Sequence, residues 1–191
     1  MKKNNCKTLY AKHYKLNNKF GFSLIELMTV IAIVGIMTSI VVPYYTRNRD
    51  SKALSFGIEQ IISDIRLVQN YAFSTLEADG SYPVGGYGIN FLIDSNEYII
   101  FADQDGNMEY NSGDDIVNTI KLSRGVKVVS LKINGTEDSN GEIDLVFTPP
   151  YGKVFIDTQN QISSNFINLE ITVSNIIGSK TVTMSSSGLL N

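Results

Sequence analysis

The most constraining feature of the sequence is an apolar run, FSLIELMTVIAIVGIMTSIVV, at residues 22–42. Its twenty-one residues include one charge, Glu26. As a helix rising about 1.5 Å per residue, the run would be roughly 30 Å long, the thickness of a bilayer's hydrocarbon core. Beyond Glu26 its only polar residues are two threonines and a serine, whose hydroxyls can bond to carbonyls of their own helix. The run therefore predicts a transmembrane helix.

The charges divide sharply around this run. Residues 1–21 contain six lysines and no acid, which leaves 16 − 6 = 10 cations against 19 acids in the rest, a net charge of −9. Lysines before a transmembrane segment keep that end in the cytoplasm and predict export of the C-terminal part. Phosphate contacts need clustered Lys and Arg, so no direct nucleic-acid binding is expected from this acidic body.

The only cysteine, Cys6, and the only histidine, His13, both precede the apolar run. The part beyond Gly21 therefore has neither thiol nor imidazole, which excludes Cys–His nucleophiles, Ser–His–Asp triads and most zinc sites. An enzyme is not expected. The alternative from another class is a membrane-anchored exported hydrolase or binding domain, in which a carboxylate pair such as Asp114-Asp115 would do acid–base work.

Two simpler interpretations explain the run less well. A secretory signal has a shorter apolar run followed by small residues, whereas Pro43 and Tyr44 follow here. A plain single-pass anchor explains the length but not Glu26. A carboxylate in a membrane helix costs about 2.5–3.5 kcal/mol near the bilayer centre and less near the interface, so such a residue is usually functional and has a partner.

The junction Lys19-Phe20-Gly21-Phe22-Ser23-Leu24-Ile25-Glu26 resembles the prepilin peptidase site of type IV pilins and type II secretion pseudopilins. The resemblance implies cleavage between Gly21 and Phe22 and N-methylation of Phe22. It makes Glu26 the fifth residue of the mature chain, where the family has glutamate. Pro43 falls at mature position 22, where the family commonly carries a helix-bending proline.

The same resemblance implies partners and a location. The partners are prepilin peptidase, other pilins or pseudopilins and the inner-membrane assembly platform. The chain would span the inner membrane once and then enter a periplasmic or cell-surface filament. Cleavage would create a cationic amine at Phe22, which could pair loosely with Glu26 of its own chain at i,i+4 spacing. Between subunits it could neutralise the Glu26 of an assembled neighbour, because an unpaired charge in an apolar filament core is costly.

The chain is predicted to divide into a basic leader (1–21), a transmembrane and filament-core helix (22–43), an amphipathic helix (44–78) and a β-rich exported domain (79–191). Apolar residues at steps of three and four mark the buried face of the amphipathic helix: Leu54, Ile58, Ile61, Ile65, Val68 and Ala72. Pro43 is expected to bend the helix without ending it. The predicted class is α+β, a long N-terminal helix packed on an antiparallel β domain, as in pilins.

Beyond Tyr87 the apolar period changes to two, which is typical of strands. Eight strands are predicted: Tyr87–Ile93, Glu97–Ala102, Ile116–Leu122, Val126–Ile133, Ile143–Thr148, Lys153–Asp157, Phe166–Val173 and Thr181–Ser185.

Three stretches in this region are similar to the GspH/FimT family of minor pseudopilins and minor pilins: Ser63–Ser74, Leu145–Gly152 and Ser185–Leu189. The similarity implies a low-abundance priming or tip subunit of a type II secretion, pilus or DNA-uptake machine. Some relatives bind DNA through basic C-terminal residues. Here the tail after Lys180 has no cation, which counts against DNA binding.

An acid-rich segment places oxygen ligands at alternate positions. Asp103, Asp105 and Asn107 match positions one, three and five of a calcium loop, and Asp114 falls at position twelve. The pattern departs from the EF-hand, which needs glycine at position six, where Met108 stands, and glutamate at twelve. Two interpretations stay open: a low-symmetry calcium site that orders the loop, or a solvated hairpin loop in which Asp and Asn make local turns. No other cofactor is expected.

Overall fold

The computed structural model describes residues 21–74, 76–78, 80–138, 140–150, 152–157 and 163–190. The basic leader, except for Gly21, lies outside these residues. The described chain forms two compact units, one ending at Val42 and one beginning at Pro43.

Within the described residues the elements are one helix and nine strands. They are α1 (Leu24–Ser74), β1 (Gly86–Leu92), β2 (Glu97–Asp103), β3 (Asp115–Lys121), β4 (Lys127–Ile133), β5 (Thr136–Glu137), β6 (Glu142–Thr148), β7 (Lys153–Asp157), β8 (Asn168–Asn175) and β9 (Gly178–Ser185).

The strands form two sheets in which every pairing is antiparallel. One sheet has five strands in the order β3-β2-β1-β6-β7, and the other has four in the order β5-β4-β8-β9. The α+β class predicted from the sequence is confirmed. All eight predicted strands are present with ends shifted by at most three residues. The two-residue β5 was not predicted, because a run this short has no visible period.

The C-terminal half of α1 buries one face against both sheets. Its buried residues are Ala53, Leu54, Gly57, Ile61, Ile65, Val68 and Ala72, which recur at helical spacing. They join apolar side chains of both sheets, such as Phe91, Leu131 and Leu145, in one core. This unit is stabilised by its hydrophobic core and not by disulfides, since the chain has no cysteine beyond Cys6.

The helix ends earlier than predicted, at Ser74 instead of residue 78. The chain turns back on itself here: the amide of Ala78 donates to the carbonyl of Ser81 at 2.8 Å, and the reverse bond is 3.0 Å. Gly80 has a φ of +81°, a conformation that a right-handed helix cannot include. The turn around Gly80 therefore begins within the segment that was predicted to be helical.

Candidate functional site

The apolar run is solvent-exposed along its whole length in the unit that ends at Val42. Phe22 is 84% exposed, Leu27 58% and Val42 54%. Helix α1, which includes residues 24–42 of the run, is long and apolar enough there to cross a membrane. Apolar surface on this scale is not stable in water on a soluble monomer. The run therefore requires lipid or other apolar helices around it.

The three hydroxyls that follow Glu26 in the run are satisfied within the helix. Thr29 Oγ1 donates to the carbonyl of Glu26 at 2.8 Å, Thr38 Oγ1 to Val34 at 2.7 Å, and Ser39 Oγ to Ile36 at 2.7 Å. Such bonds to the preceding turn remove the cost of placing a hydroxyl in an apolar medium. Within residues 24–42, Glu26 is thus the one polar side chain for which the helix provides no hydrogen-bond partner.

Glu26 lies in the first turn of α1, whose first residue is Leu24. The amide of Leu27 donates to the carbonyl of Ser23 at 3.1 Å, so Ser23 occupies the N-cap position and Glu26 the third helical position. Serine followed three residues later by glutamate is the capping-box spacing, which sequence reasoning missed. A carboxylate at a helix N-terminus gains about 0.3–1 kcal/mol, less than the cost of burying it in lipid. Capping alone therefore does not explain this glutamate.

The predicted cleavage junction lies just before α1. Gly21 and Phe22 are exposed and precede the helix, so their backbone is accessible to a protease. A Cβ added at Gly21 would meet no atom within 4 Å. The fold therefore does not require glycine at this position. Cleavage at Gly21–Phe22 remains a prediction that rests on the motif.

Pro43 lies inside α1 and begins the second compact unit. It has no amide hydrogen, so the carbonyl of Ser39, four residues earlier, loses its usual helical partner. The helix nevertheless continues, and Thr46 Oγ1 donates to the carbonyl of Pro43 at 3.0 Å. Pro43 thus marks the passage from the exposed apolar half of α1 to the half that carries the folded domain.

The acidic loop, residues 103–115, brings three of the four predicted calcium ligands together. Carboxylate oxygens of Asp103, Asp105 and Asp114 lie within 4.8 Å of one another. Asp103 is buried, Asp114 half-buried and Asp105 exposed. Asn107 lies beside the three: its Nδ2 donates to Asp105 Oδ2 at 3.2 Å, and its Oδ1 accepts a backbone amide two residues on. The loop therefore gathers oxygen atoms of the type that Ca²⁺ prefers.

Backbone amides of the loop already hold these carboxylates. Asp103 accepts bonds from the amides of Gly106 and Met108, at 2.7 and 2.9 Å. Asp114 accepts two further amide bonds, at 3.0 and 2.9 Å. These are the local side-chain turns expected of a solvated hairpin loop. The carboxylates thus converge as in a calcium site, and they also accept backbone amides as in a hairpin loop.

The carboxylates of the loop differ in their electrostatic surroundings. Burial raises the pKa of Asp103 and of Asp114 above their ordinary values, against the opposing effect of the amide bonds. The bond from the amide of Asn107 lowers the pKa of Asp105. A cation bound among the three would favour the charged form of all of them.

The adjacent pair Asp114-Asp115, on which a hydrolase would depend, is engaged in loop structure. Both oxygens of Asp114 accept backbone amides, and Asp115 Oδ2 accepts Gln104 Nε2 at 2.6 Å. Neither side chain is a free carboxylate placed opposite the other. The geometry gives no support to acid–base catalysis by this pair.

Two buried acids on neighbouring strands were not found by sequence reasoning. Asp144 on β6 and Asp157 on β7 lie directly opposite each other and are 4% and 2% exposed. Asp144 accepts Asn90 Nδ2 at 2.8 Å and the amide of Tyr110 at 3.1 Å. Burial raises the pKa of Asp144 to about 7, and the nearby charges of Glu142 and Asp157 add to the effect. An acid between apolar neighbours suggests a solvent-facing position, but five consecutive residues of β6 are buried.

The chain matches a known family model over its N-terminal part and one curated protein over 74 residues. Residues 16–42 match the family described as the prokaryotic N-terminal methylation motif. A stretch of 74 residues is 36% identical to the type II secretion system core protein G of Klebsiella michiganensis; it covers 38% of this chain and 49% of that protein. The chain thus spans about half the length of the curated relative it matches. No solved structure matches the chain.

The family match agrees with the physical character of the segment that it covers, residues 16–42. The methylation motif covers the junction and the apolar run, and the relative is a component of a secretion machine. The described part of α1 has the exposed apolar surface that such a motif would need to present. The chain therefore carries the prokaryotic N-terminal methylation motif and is similar, over part of its length, to a type II secretion core protein G.

Proposed function

We propose that the chain is a structural subunit of a type IV pilus-like filament. It is made as a precursor, inserted into the inner membrane by its apolar run and cut between Gly21 and Phe22 by prepilin peptidase. The new amine of Phe22 is methylated. In the filament this amine pairs with Glu26 of a neighbouring subunit, a head-to-tail contact that repeats without closing and so generates a helical fibre.

One observation carries the proposal: the apolar run is exposed throughout, and its only charge is a carboxylate in the first turn of the helix. Helices from several subunits would cover one another's apolar surface. A single acid and a single amine per subunit would then neutralise each other in a medium of low dielectric constant, where leaving either unpaired costs several kcal/mol, roughly 3–5. The pair also fixes the axial position of each subunit, as polar groups do in other helical assemblies.

We further propose that the subunit is of the minor pilin or pseudopilin kind, with a priming or tip role. The support is the similarity of three stretches, among them Ser63–Ser74, to the GspH/FimT family. Its partners would be prepilin peptidase, other pilins and the inner-membrane assembly platform. The relative from Klebsiella michiganensis, a core protein G, supports a type II secretion machine or one built like it.

Mass spectrometry of the chain extracted from membranes tests the proposal. We expect a mature form that begins with N-methylated Phe22. Gly21→Ala is expected to accumulate the lysine-bearing precursor, because the added methyl group touches nothing in the fold and acts only on recognition by the peptidase.

Gly35→Ala is the matched control for this experiment. A Cβ at Gly35 also meets no atom within 4 Å, and the residue lies beyond the cleavage motif, so normal processing is expected. A wild-type chain that keeps residues 1–21 in cells with an active peptidase, and that never associates with fibres, would overturn the filament proposal.

A second proposal concerns the acidic loop, which we propose binds calcium through Asp103, Asp105 and Asp114 with Asn107 beside them. The support is the convergence of three carboxylates within 4.8 Å. Bound calcium would favour the charged forms of Asp103 and Asp114, which burial disfavours. Its role would be to stabilise the loop between β2 and β3.

Thermal unfolding of the detergent-solubilised chain with and without CaCl₂ tests this second proposal. Calcium at a hundred times its dissociation constant is expected to stabilise the fold by about 2.7 kcal/mol. Asp105→Asn should abolish most of this gain, because it removes one of the three converging carboxylates. Asp105 is exposed, so its replacement should leave the fold intact. Asp138→Asn is the control, since Asp138 also accepts backbone amides in a turn but lies outside the cluster. An unfolding temperature that calcium does not change would contradict the proposal.

A further inference from the structure

The hairpin that joins β8 to β9 has an unusually apolar tip. Its turn, residues 175–178, places Ile176 and Ile177 where turns normally carry polar residues or glycine. Ile176 is 89% exposed, more than any other large apolar side chain among the described residues, and Ile177 is 43% exposed. Within the described part of the domain, Ile176 is thus left almost wholly outside the core.

Two side-chain bonds fix the direction of this hairpin along α1. Lys180 Nζ donates to Ser55 Oγ at 2.9 Å, and Asn175 Nδ2 donates to the carbonyl of Asp50 at 2.7 Å. Toward its tip, the hairpin therefore contacts residues of α1 that lie progressively closer to Pro43. The tip would meet the helix where the second compact unit begins.

The tip lies against the first turns of α1 after Pro43. Ile176 and Ile177 line a groove together with Tyr44, Arg47, Asn48 and Ser51, all residues of the unit that begins at Pro43. Tyr44 comes only two residues after the end of the apolar run, about 3 Å along a helix. If the run spans the bilayer, chain continuity places this groove and the hairpin tip at the membrane surface.

The residues around the groove suit a bilayer interface. Tyr44 and Tyr45 are 75% and 60% exposed, and exposed tyrosines next to a membrane span are typical of the interfacial aromatic belt. Residues 44–55 contain three cations and one acid, a net charge of 3 − 1 = +2, which complements anionic lipid headgroups. An apolar tip flanked by tyrosine and arginine is the composition of a segment that lies within the headgroup region.

We propose that the β8–β9 tip inserts Ile176 into the outer interface of the inner membrane, with Arg47 on the neighbouring headgroups. The inference rests on the proposed function only in that the apolar run must span the bilayer. The unassembled subunit would then be held to the membrane at two points, the helix and the hairpin. Entry into a filament would release the second.

A fluorescent probe on the full chain tests this contact. Cys6 is the only cysteine, so Ile176→Cys in a Cys6→Ser background provides one labelling site for an environment-sensitive dye. The chain is reconstituted in vesicles of phosphatidylethanolamine and phosphatidylglycerol that contain a lipid-borne quencher. Ile167→Cys is the matched control: Ile167 is 76% exposed and immediately precedes β8, at the end opposite Ile176. If the chain is extended between them, the two positions lie about 29–31 Å apart.

Lipid quenching at position 176 is expected to exceed that at position 167 by about threefold or more, with a blue-shifted emission at 176 alone. Vesicle flotation, measured first, tests the membrane-spanning premise separately from the hairpin contact. A chain that does not float with the vesicles overturns the membrane-spanning premise. A chain that floats but is quenched equally at both positions overturns the hairpin contact alone. Shielding at 176 that appears only on assembly with further copies, without lipid quenching, would make the tip a subunit contact and also overturn it.

Discussion

Glu26→Val is expected to leave cleavage and membrane insertion intact and to abolish incorporation into filaments. Valine makes the run more apolar, so insertion should not suffer. Each assembled subunit would then bury the amine of Phe22 without a counter-charge, which costs about 3–5 kcal/mol and lowers the affinity of the contact by a factor of about 100 to 1,000 or more. The measurement is the amount of tagged subunit in sheared filament fractions relative to the membrane fraction.

Two further variants separate charge from helix capping. Glu26→Gln keeps a side chain that can complete the capping box with Ser23 but removes the charge, so it should fail as Glu26→Val does. Thr29→Val removes a polar side chain one turn away that bonds only to its own helix, and should assemble normally. Normal assembly of Glu26→Gln would show that Glu26 serves the helix end and not the contact between subunits.

Asp144→Asn is expected to change how the stability of the fold depends on pH. Burial raises the pKa of Asp144 from 3.8 to about 7, so between these values the folded chain holds a proton that the unfolded chain releases. The wild-type free energy of unfolding therefore falls as pH rises through this range, by on the order of 4 kcal/mol from this group. Asparagine does not titrate, and it loses the bond from the amide of Tyr110 at a cost of about 1 kcal/mol.

The variant should consequently be less stable than wild type at pH 4, by about 1 kcal/mol, and more stable at pH 8, by about 3 kcal/mol. Urea unfolding of the detergent-solubilised chain, followed by tyrosine fluorescence because the chain has no tryptophan, measures the difference. Asp94→Asn, at an exposed turn, is the control and should differ little from wild type at either pH. A difference between Asp144→Asn and wild type that is the same at both values of pH would contradict the assignment.

Most of the architecture was accessible from the sequence. The apolar face of α1, from Leu54 to Ala72, follows from a period of 3.6. The eight longer strands were found from apolar alternation and the turn signals between them, including β1 and β6, whose consecutive residues are buried. The end of the helix was misplaced because the bend depends on backbone pairing between Ala78 and Ser81, which leaves little mark on composition. β5 escaped because two residues define no period.

The candidate sites divide in the same way. Glu26 stands out because one charge in an apolar run contradicts its surroundings, and the acidic loop stands out by composition. Asp144 did not, because an acid in a strand is ordinarily assigned to the solvent face, and only the folded structure shows it buried against Asn90 and the amide of Tyr110. The exposed tip at Ile176 also depends on tertiary structure, since only the folded hairpin shows which residues of α1 it meets.

The internal bonding of Thr29, Thr38 and Ser39 has a mechanical consequence for any fibre made from this helix. Because these hydroxyls bond to carbonyls of their own helix, neighbouring helices would contact each other through dispersion forces, which have no preferred direction. One ion pair per subunit would fix the axial position of each helix. Rotation of the helices and small lateral shifts between them would meet little resistance. Such a fibre would bend and twist easily yet resist being pulled apart along its axis.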